Sequence, residues 1–144
     1  MNVRQIDSKD THQIRNLVLR PGLPVETCYF DGDDDEMTFH LGAFIDDKLA
    51  SVASFYFNNS EKFTNEYQFQ LRGMATLEKH RGKGLSRSLL ETAFPIILRN
   101  HVNLLWCNAR TESVGFYEKV GFNIEGDEFN IEGVGKHYLM KKVI

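Results

Sequence analysis

Apolar and polar positions along the chain switch repeatedly between the period of a strand and that of a helix. Asn2 to Ile6 reads as a short strand, and Ile14, Leu17 and Val18 recur at helical spacing from about Thr11 to Leu19, behind a cap at Ser8 or Asp10. Arg20-Pro21-Gly22 ends that helix. No period holds from Leu23 to Glu36, so this stretch reads as a solvated loop with room for one helical turn. Met37 to Ile45 and Leu49 to Phe57 read as antiparallel strands joined by a tight hairpin at Asp46-Asp47-Lys48. Beyond a polar turn from Asn58 to Thr64, Tyr67, Phe69 and Leu71 alternate with Gln68, Gln70 and Arg72. That alternation predicts a long strand from Asn65 to Leu77 with one polar face.

Helical periodicity returns from about Gly84 to Asn100, where Leu85, Leu89, Ala93 and Ile96 lie close to one stripe. Pro95 lacks a backbone donor and predicts a kink or an early end near Phe94. Leu104 to Cys107 reads as a strand, Thr111 to Val120 as a helix, and Phe122 to Ile131 with Val134 to Val143 as a terminal hairpin around Glu132-Gly133. The order of elements predicts an α/β (α+β) architecture in one domain over residues 1–144, a mixed sandwich of sheet and helices.

With 144 residues, 42% of them hydrophobic, the chain can bury a core without metal or disulfide support. Cys28 and Cys107 are too few for a disulfide framework, and no Cys or His pair has the spacing of a zinc site. The first ten residues are polar and no apolar run is long enough to cross a bilayer, so the expected location is cytoplasmic. A net charge of -3 argues against a nucleic-acid or anionic-membrane partner. The acidic run Asp31 to Glu36 starts with the spacing of a calcium loop, but Glu36 replaces its glycine and Gly42 its bidentate glutamate. Bordering an acceptor site, the run could instead attract a cationic amine.

Local charge opposes this net charge in one place, where Lys79, Arg81, Lys83 and Arg87 cluster around Gly82 and Gly84 between a strand and a helix. Glycines let such a turn approach a ligand closely, and the first amides of the helix, lacking intrahelical acceptors, favour phosphate. A P-loop is excluded because Lys83 is followed by glycine and Leu77 stands where the earlier glycine belongs. A dinucleotide fingerprint fails at Arg87. Arg81-Gly82-Lys83-Gly84-Leu85-Ser86 resembles the pyrophosphate signature Gln/Arg-x-x-Gly-x-Gly/Ala of the GNAT superfamily, departing from it at Ser86. Further on, Asn108 to Phe122, with Phe116-Tyr117-Glu118-Lys119-Val120-Gly121-Phe122, resembles the second recurrent segment of the same superfamily, in the expected order.

The resemblance covers roughly Met37 to Val143 and implies a mixed, mostly antiparallel central sheet flanked by helices, acting as an N-acetyltransferase with acetyl-CoA as cosubstrate and no metal. It implies a pyrophosphate site at Arg81, Gly82, Lys83, Gly84, Leu85, Ser86 and Arg87, and a pantetheine arm along Met74, Ala75 and Thr76 facing Asn108. Direct attack by a primary amine of a small molecule or peptide follows, with Tyr117 as general acid and a strand amide near Met74 for the oxyanion. The glutamate base of many members falls near Gln68, which takes no proton, leaving Glu66, His40 or water. A non-catalytic acyl-CoA-binding or sensing module is the alternative, and the oligomeric state is open, a homodimer included.

Overall fold

Asp46 and Asp47 both adopt left-handed backbone conformations, with φ of 51° and 63°. Successive positive φ values match a turn to strand twist, and the expected hairpin forms between β2 (Phe39–Ile45) and β3 (Lys48–Phe57). The computed structural model describes residues 1–144. β1 (Asn2–Ile6) pairs on the outer side of β2, and β4 (Phe69–Thr76) on the far side of β3. β5 (Leu104–Arg110), β6 (Asn123–Ile131) and β7 (Gly135–Val143) complete one seven-stranded sheet in the order β1-β2-β3-β4-β5-β7-β6. Every pairing is antiparallel except β4 with β5.

Helices cover both faces. α2 (Leu85–Arg99) buries Leu85, Leu89, Leu90, Ala93 and Ile97 against Leu41, Phe55, Phe69 and Leu105 of the sheet, and α3 (Val114–Lys119) adds Phe116 and Tyr117 at the edge of that core. α1 (Ser8–Val18) lies on the other face, where Ile14 packs with Val52 and Ala75. Fully burying a leucine or isoleucine in this way contributes roughly 1.5–3 kcal/mol. No helix is long and apolar enough to cross a membrane.

Three expectations need correction. α2 passes through Pro95 to Arg99. Both Pro95 and Glu91, whose carbonyl loses its partner, are exposed, so water can take the missing bond. β4 begins at Phe69 rather than Asn65 because Gln68 turns inward and is fully buried. Its Oε1 accepts from the Ser60 amide at 2.7 Å and its Nε2 donates to the Asn65 carbonyl at 3.0 Å, closing the preceding loop. Gln70 is buried as well, so the strand has no solvated polar face there.

The acidic run is also not a uniformly solvated loop. Asp33 is buried and receives both terminal nitrogens of the fully buried Arg15, at 2.7 and 3.0 Å. Tyr56 donates its hydroxyl to Asp33 at 2.5 Å, and the Phe30 amide donates at 3.0 Å. Arg15 also donates to the Cys28 carbonyl and to Ser54. One buried ion pair thus ties α1, the Cys28–Asp33 segment and β3 together.

Candidate active site

Beyond Gln70 the sheet opens. β4 and β5 pair only at Phe69 with Leu105 and Gln70 with Trp106, after which their facing backbone edges separate. On the other side of β4 the register with β3 slips by one residue between Val52 and Ser54. Gly73 takes up the extra residue with φ of 66°. A Cβ there would lie 3.1 Å from Phe30 and 3.2 Å from Nε of Arg15, so the conformation favours glycine and a larger residue would also press those two side chains aside by a few tenths of an ångström.

β4 leads through a short 3-10 turn at Glu78–His80 into the basic loop, and Gly84, with φ of 79°, caps α2. The Ser88 amide is the first to bond back, to the Gly84 carbonyl at 3.1 Å, so the amides of Leu85, Ser86 and Arg87 have no acceptor within the helix. Ser86 turns its hydroxyl toward Thr76 at 3.1 Å, and Thr76 in turn meets Ser51 at 2.7 Å. That arrangement fixes the helix start to the end of β4 through side chains and leaves the backbone amides open. A hollow of about 500 Å³ lies over the loop and is lined by Met74, Ala75, Thr76, Arg81, Gly82 and Gly84, with Leu85, Ser86, Arg87 and Tyr117 closing it. Lys83 does not line it; its Nζ lies 3.3 Å from Nδ1 of His80.

The gap between β4 and β5 forms a second cleft of about 810 Å³, and the two share Val18, Met74, Arg81, Ser113 and Tyr117. Asn108 lines only the second. Tyr117 is half-buried between Phe116 and Phe122, whose rings lie 5.1 and 5.3 Å from its own. Burial, and then the nearby Cys107, pushes its phenol well above the ordinary value, so the hydroxyl stays protonated. Burial likewise pushes the Cys107 thiol up to about 12.

Glu66 and His40, the expected alternatives for a base, line neither cleft. Glu66 is exposed in a bend before β4, outside the strand face that the sequence assigned to it. His40 is buried, with one ring nitrogen 2.6 Å from Ser54 and the other 2.8 Å from the Asp33 carbonyl, so both nitrogens are engaged. His137 of β7 was missed. It lies opposite Arg110 in the β5–β7 pairing and lines the second cleft with Tyr117 and Asn108. Its Nδ1 lies 2.8 Å from the Gly135 carbonyl, which can only accept, so Nδ1 carries the proton of the neutral ring and Nε2 the lone pair. His137 as a whole is buried, 4% exposed, but its Nε2 has no protein partner and, unlike Arg15 Nε, is not a fully enclosed orphan, so it keeps slight solvent access.

The sequence model of the Acetyltransferase (GNAT) family matches residues 5–122. The chain is 38% identical over 144 residues to the uncharacterized N-acetyltransferase YitI of Bacillus subtilis (strain 168), covering all of this chain and 97% of that protein. Among solved structures, a ribosomal-protein-alanine N-acetyltransferase from Brucella melitensis superposes with a TM-score of 0.77 at 16% identity, over the full length of both chains. An aminoglycoside 6'-N-acetyltransferase complexed with coenzyme A gives 0.73 at 14% identity, covering 99% of this chain and 97% of that one.

Proposed function

The chain belongs to the Acetyltransferase (GNAT) family and is an acyl-CoA-dependent N-acyltransferase, and from that premise we propose that it moves an acetyl group from acetyl-CoA directly to a primary amine. The observation that carries this reading is the meeting of the two clefts at Met74 and Tyr117. One offers unpaired helix amides and Arg81 to an anion; the other offers the separated backbone edges of β4 and β5 to an extended polar arm. Both features fit a cosubstrate that is a pyrophosphate continued by an amide-containing chain. Arg81, Gly82, Gly84, Leu85, Ser86 and Arg87 would hold the pyrophosphate, with Lys83 adding charge. Met74, Ala75, Thr76 and Asn108 would flank the arm.

Acetyl-CoA supplies an activated acyl carbon. The chain's own groups then have three tasks. A β4 amide near Met74 stabilises charge on the carbonyl oxygen. His137 Nε2, directly or through water, accepts the proton that the amine loses as its nitrogen bonds to the acyl carbon. Tyr117 donates its proton to the sulfur as the carbon–sulfur bond breaks, and the proton held by His137 returns to Tyr117 through solvent. Cys107, fully protonated at working pH, offers no nucleophile for a covalent acyl-enzyme.

The test is equilibrium binding of acetyl-CoA followed by turnover with a panel of amines. Saturable binding, weakened by Arg81→Ala, together with N-acetylated product supports the enzyme; binding without product on any amine supports an acyl-CoA sensor instead. Residues 1–144 act in this reading as one domain.

A further inference from the structure

The second cleft contains no carboxylate. Its 21 lining residues include Arg20, Arg72, Arg81 and Arg110 but neither Asp nor Glu, in a chain whose net charge is -3. Arg81 belongs to the loop over α2, which leaves three arginines for whatever shares the cleft with the acyl donor. Their placement follows from strand alternation. Cys107 and Ala109 point into the core beneath α2 and α3, so Asn108 and Arg110 point to the opposite face, as does His137 opposite Arg110. Arg72 lies on that face of β4, since Phe69 and Leu71 are in the α2 core.

None of the three arginines forms an ion pair. Arg20 spends one nitrogen on the hydroxyl of Thr27 at 2.9 Å. Arg72 is half-buried with its guanidinium carbon 5.0 Å from the Phe30 ring and 5.2 Å from the Tyr56 ring, held by aromatic faces while its donors have no protein acceptor. Asp31, Asp35 and Glu36 line a neighbouring hollow that shares Arg72 and Gln70, yet none pairs with Arg72. A guanidinium fixed by stacking and left without an anion is a ready carboxylate site, because its planar fork matches both oxygens. Leu19, Leu23, Phe30, Ile131 and Val134 supply apolar wall beside it.

We infer that the acceptor is an amine that also carries a carboxylate on a partly apolar body, a free amino acid or a short peptide such as a dipeptide, with Arg72 as the principal carboxylate ligand and Arg20 and Arg110 as supporting charge. This rests on the acyltransferase reading above and gives its acceptor a class. The same arginines disfavour an ammonium ion in the cleft, so an amine entering here is driven toward the neutral, nucleophilic form. A second ammonium with no carboxylate would be repelled by these arginines.

The experiment compares the twenty standard amino acids with their amides, and a set of dipeptides with theirs, as acceptors at saturating acetyl-CoA. At least one acid should exceed its amide by about tenfold or more in kcat/KM, the range expected for a charge-assisted pair; the amino-acid and dipeptide arms identify the source. Arg72→Gln should reduce that preference to near unity without changing acetyl-CoA affinity, and Arg72→Lys should restore part of it. Independently of turnover, 3-phenylpropionate should bind the protein in calorimetry more tightly than 3-phenylpropionamide, and Arg110→Gln, at an exposed position that tolerates change, should narrow the difference. Amides accepted as well as acids throughout, or equal binding of the two probes, overturns the inference while leaving the acyltransferase reading intact. Failure to bind acetyl-CoA overturns that reading and the inference with it.

Discussion

Arg15 and Asp33 form a two-pronged ion pair, Nη1 to Oδ2 at 2.7 Å and Nη2 to Oδ1 at 3.0 Å, with the arginine wholly buried. Burial by itself raises the Asp33 carboxyl, but hydrogen bonds from Arg15 and Tyr56 and the arginine's charge outweigh it and hold the group below its ordinary 3.8. Asp33→Ala leaves that guanidinium buried without its counterion and should cost about 3–5 kcal/mol in chemical denaturation. Asp35→Asn, at an exposed site, should stay within about 0.5 kcal/mol. Because the folded-state value is depressed, the pair's contribution is present above pH 3.8 and declines as pH falls below it. Asp33→Ala should lose this acid-sensitive increment in a pH series.

Gly73 connects that network to the site. Its positive φ bulges β4 where the strand leaves β5, and a Cβ there would press on Phe30 and on Nε of Arg15. Gly73→Ala should therefore cost about 1–3 kcal/mol of stability. It should also lower kcat, since the adjacent Met74 amide is the group aimed at the acyl oxygen. A destabilised variant with full kcat would separate the bulge from catalysis.

The difference between what the chain's pattern revealed and what it concealed follows the range of the interactions. Local chemistry announced the hairpin at Asp46-Asp47, the glycine turn at Gly82 and Gly84 that leads into a helix, and the mixed sheet with its helices. Gln68 and Glu66 were misassigned because alternation was read through a point where a buried glutamine closes a loop instead of continuing a strand. Asp33 looked like one of several solvated acids until Arg15, 18 residues away in sequence, proved to be its partner. His137 carries no local signal at all; only the pairing of β7 with β5 brings it beside Asn108 and Arg110. A search for histidines on the strand that terminal hairpins place beside the Asn108 segment would have found it.

Cys107 gives a kinetic prediction. It lines the cleft, is 2% exposed, and burial pushes its thiol up to about 12, so almost none is thiolate near neutrality. Cys107→Ala should keep kcat within about threefold, the scale of a packing change near a site. Initial-rate plots against both substrates should intersect, as a ternary complex requires. Parallel lines, with acetyl trapped on the protein, would reverse this assignment.

The last prediction concerns Tyr117. An ordinary phenol near 10 giving its proton to a thiolate near 8.5 works uphill by roughly 2 kcal/mol. Burial raises the phenol further, which increases that cost but also ensures that the group is protonated when the sulfur departs. The donation is thus useful only while charge is developing on sulfur, when a short hydrogen bond stabilises the transition state more than the ground state. Tyr117→Phe keeps the ring contacts with Phe116 and Phe122 and removes only the hydroxyl. It should reduce kcat by about 100-fold or more, the usual worth of a general acid, while acetyl-CoA affinity measured by calorimetry stays within about twofold. Unchanged turnover on the identified acceptor would reduce Tyr117 to a packing residue and leave water as the proton source.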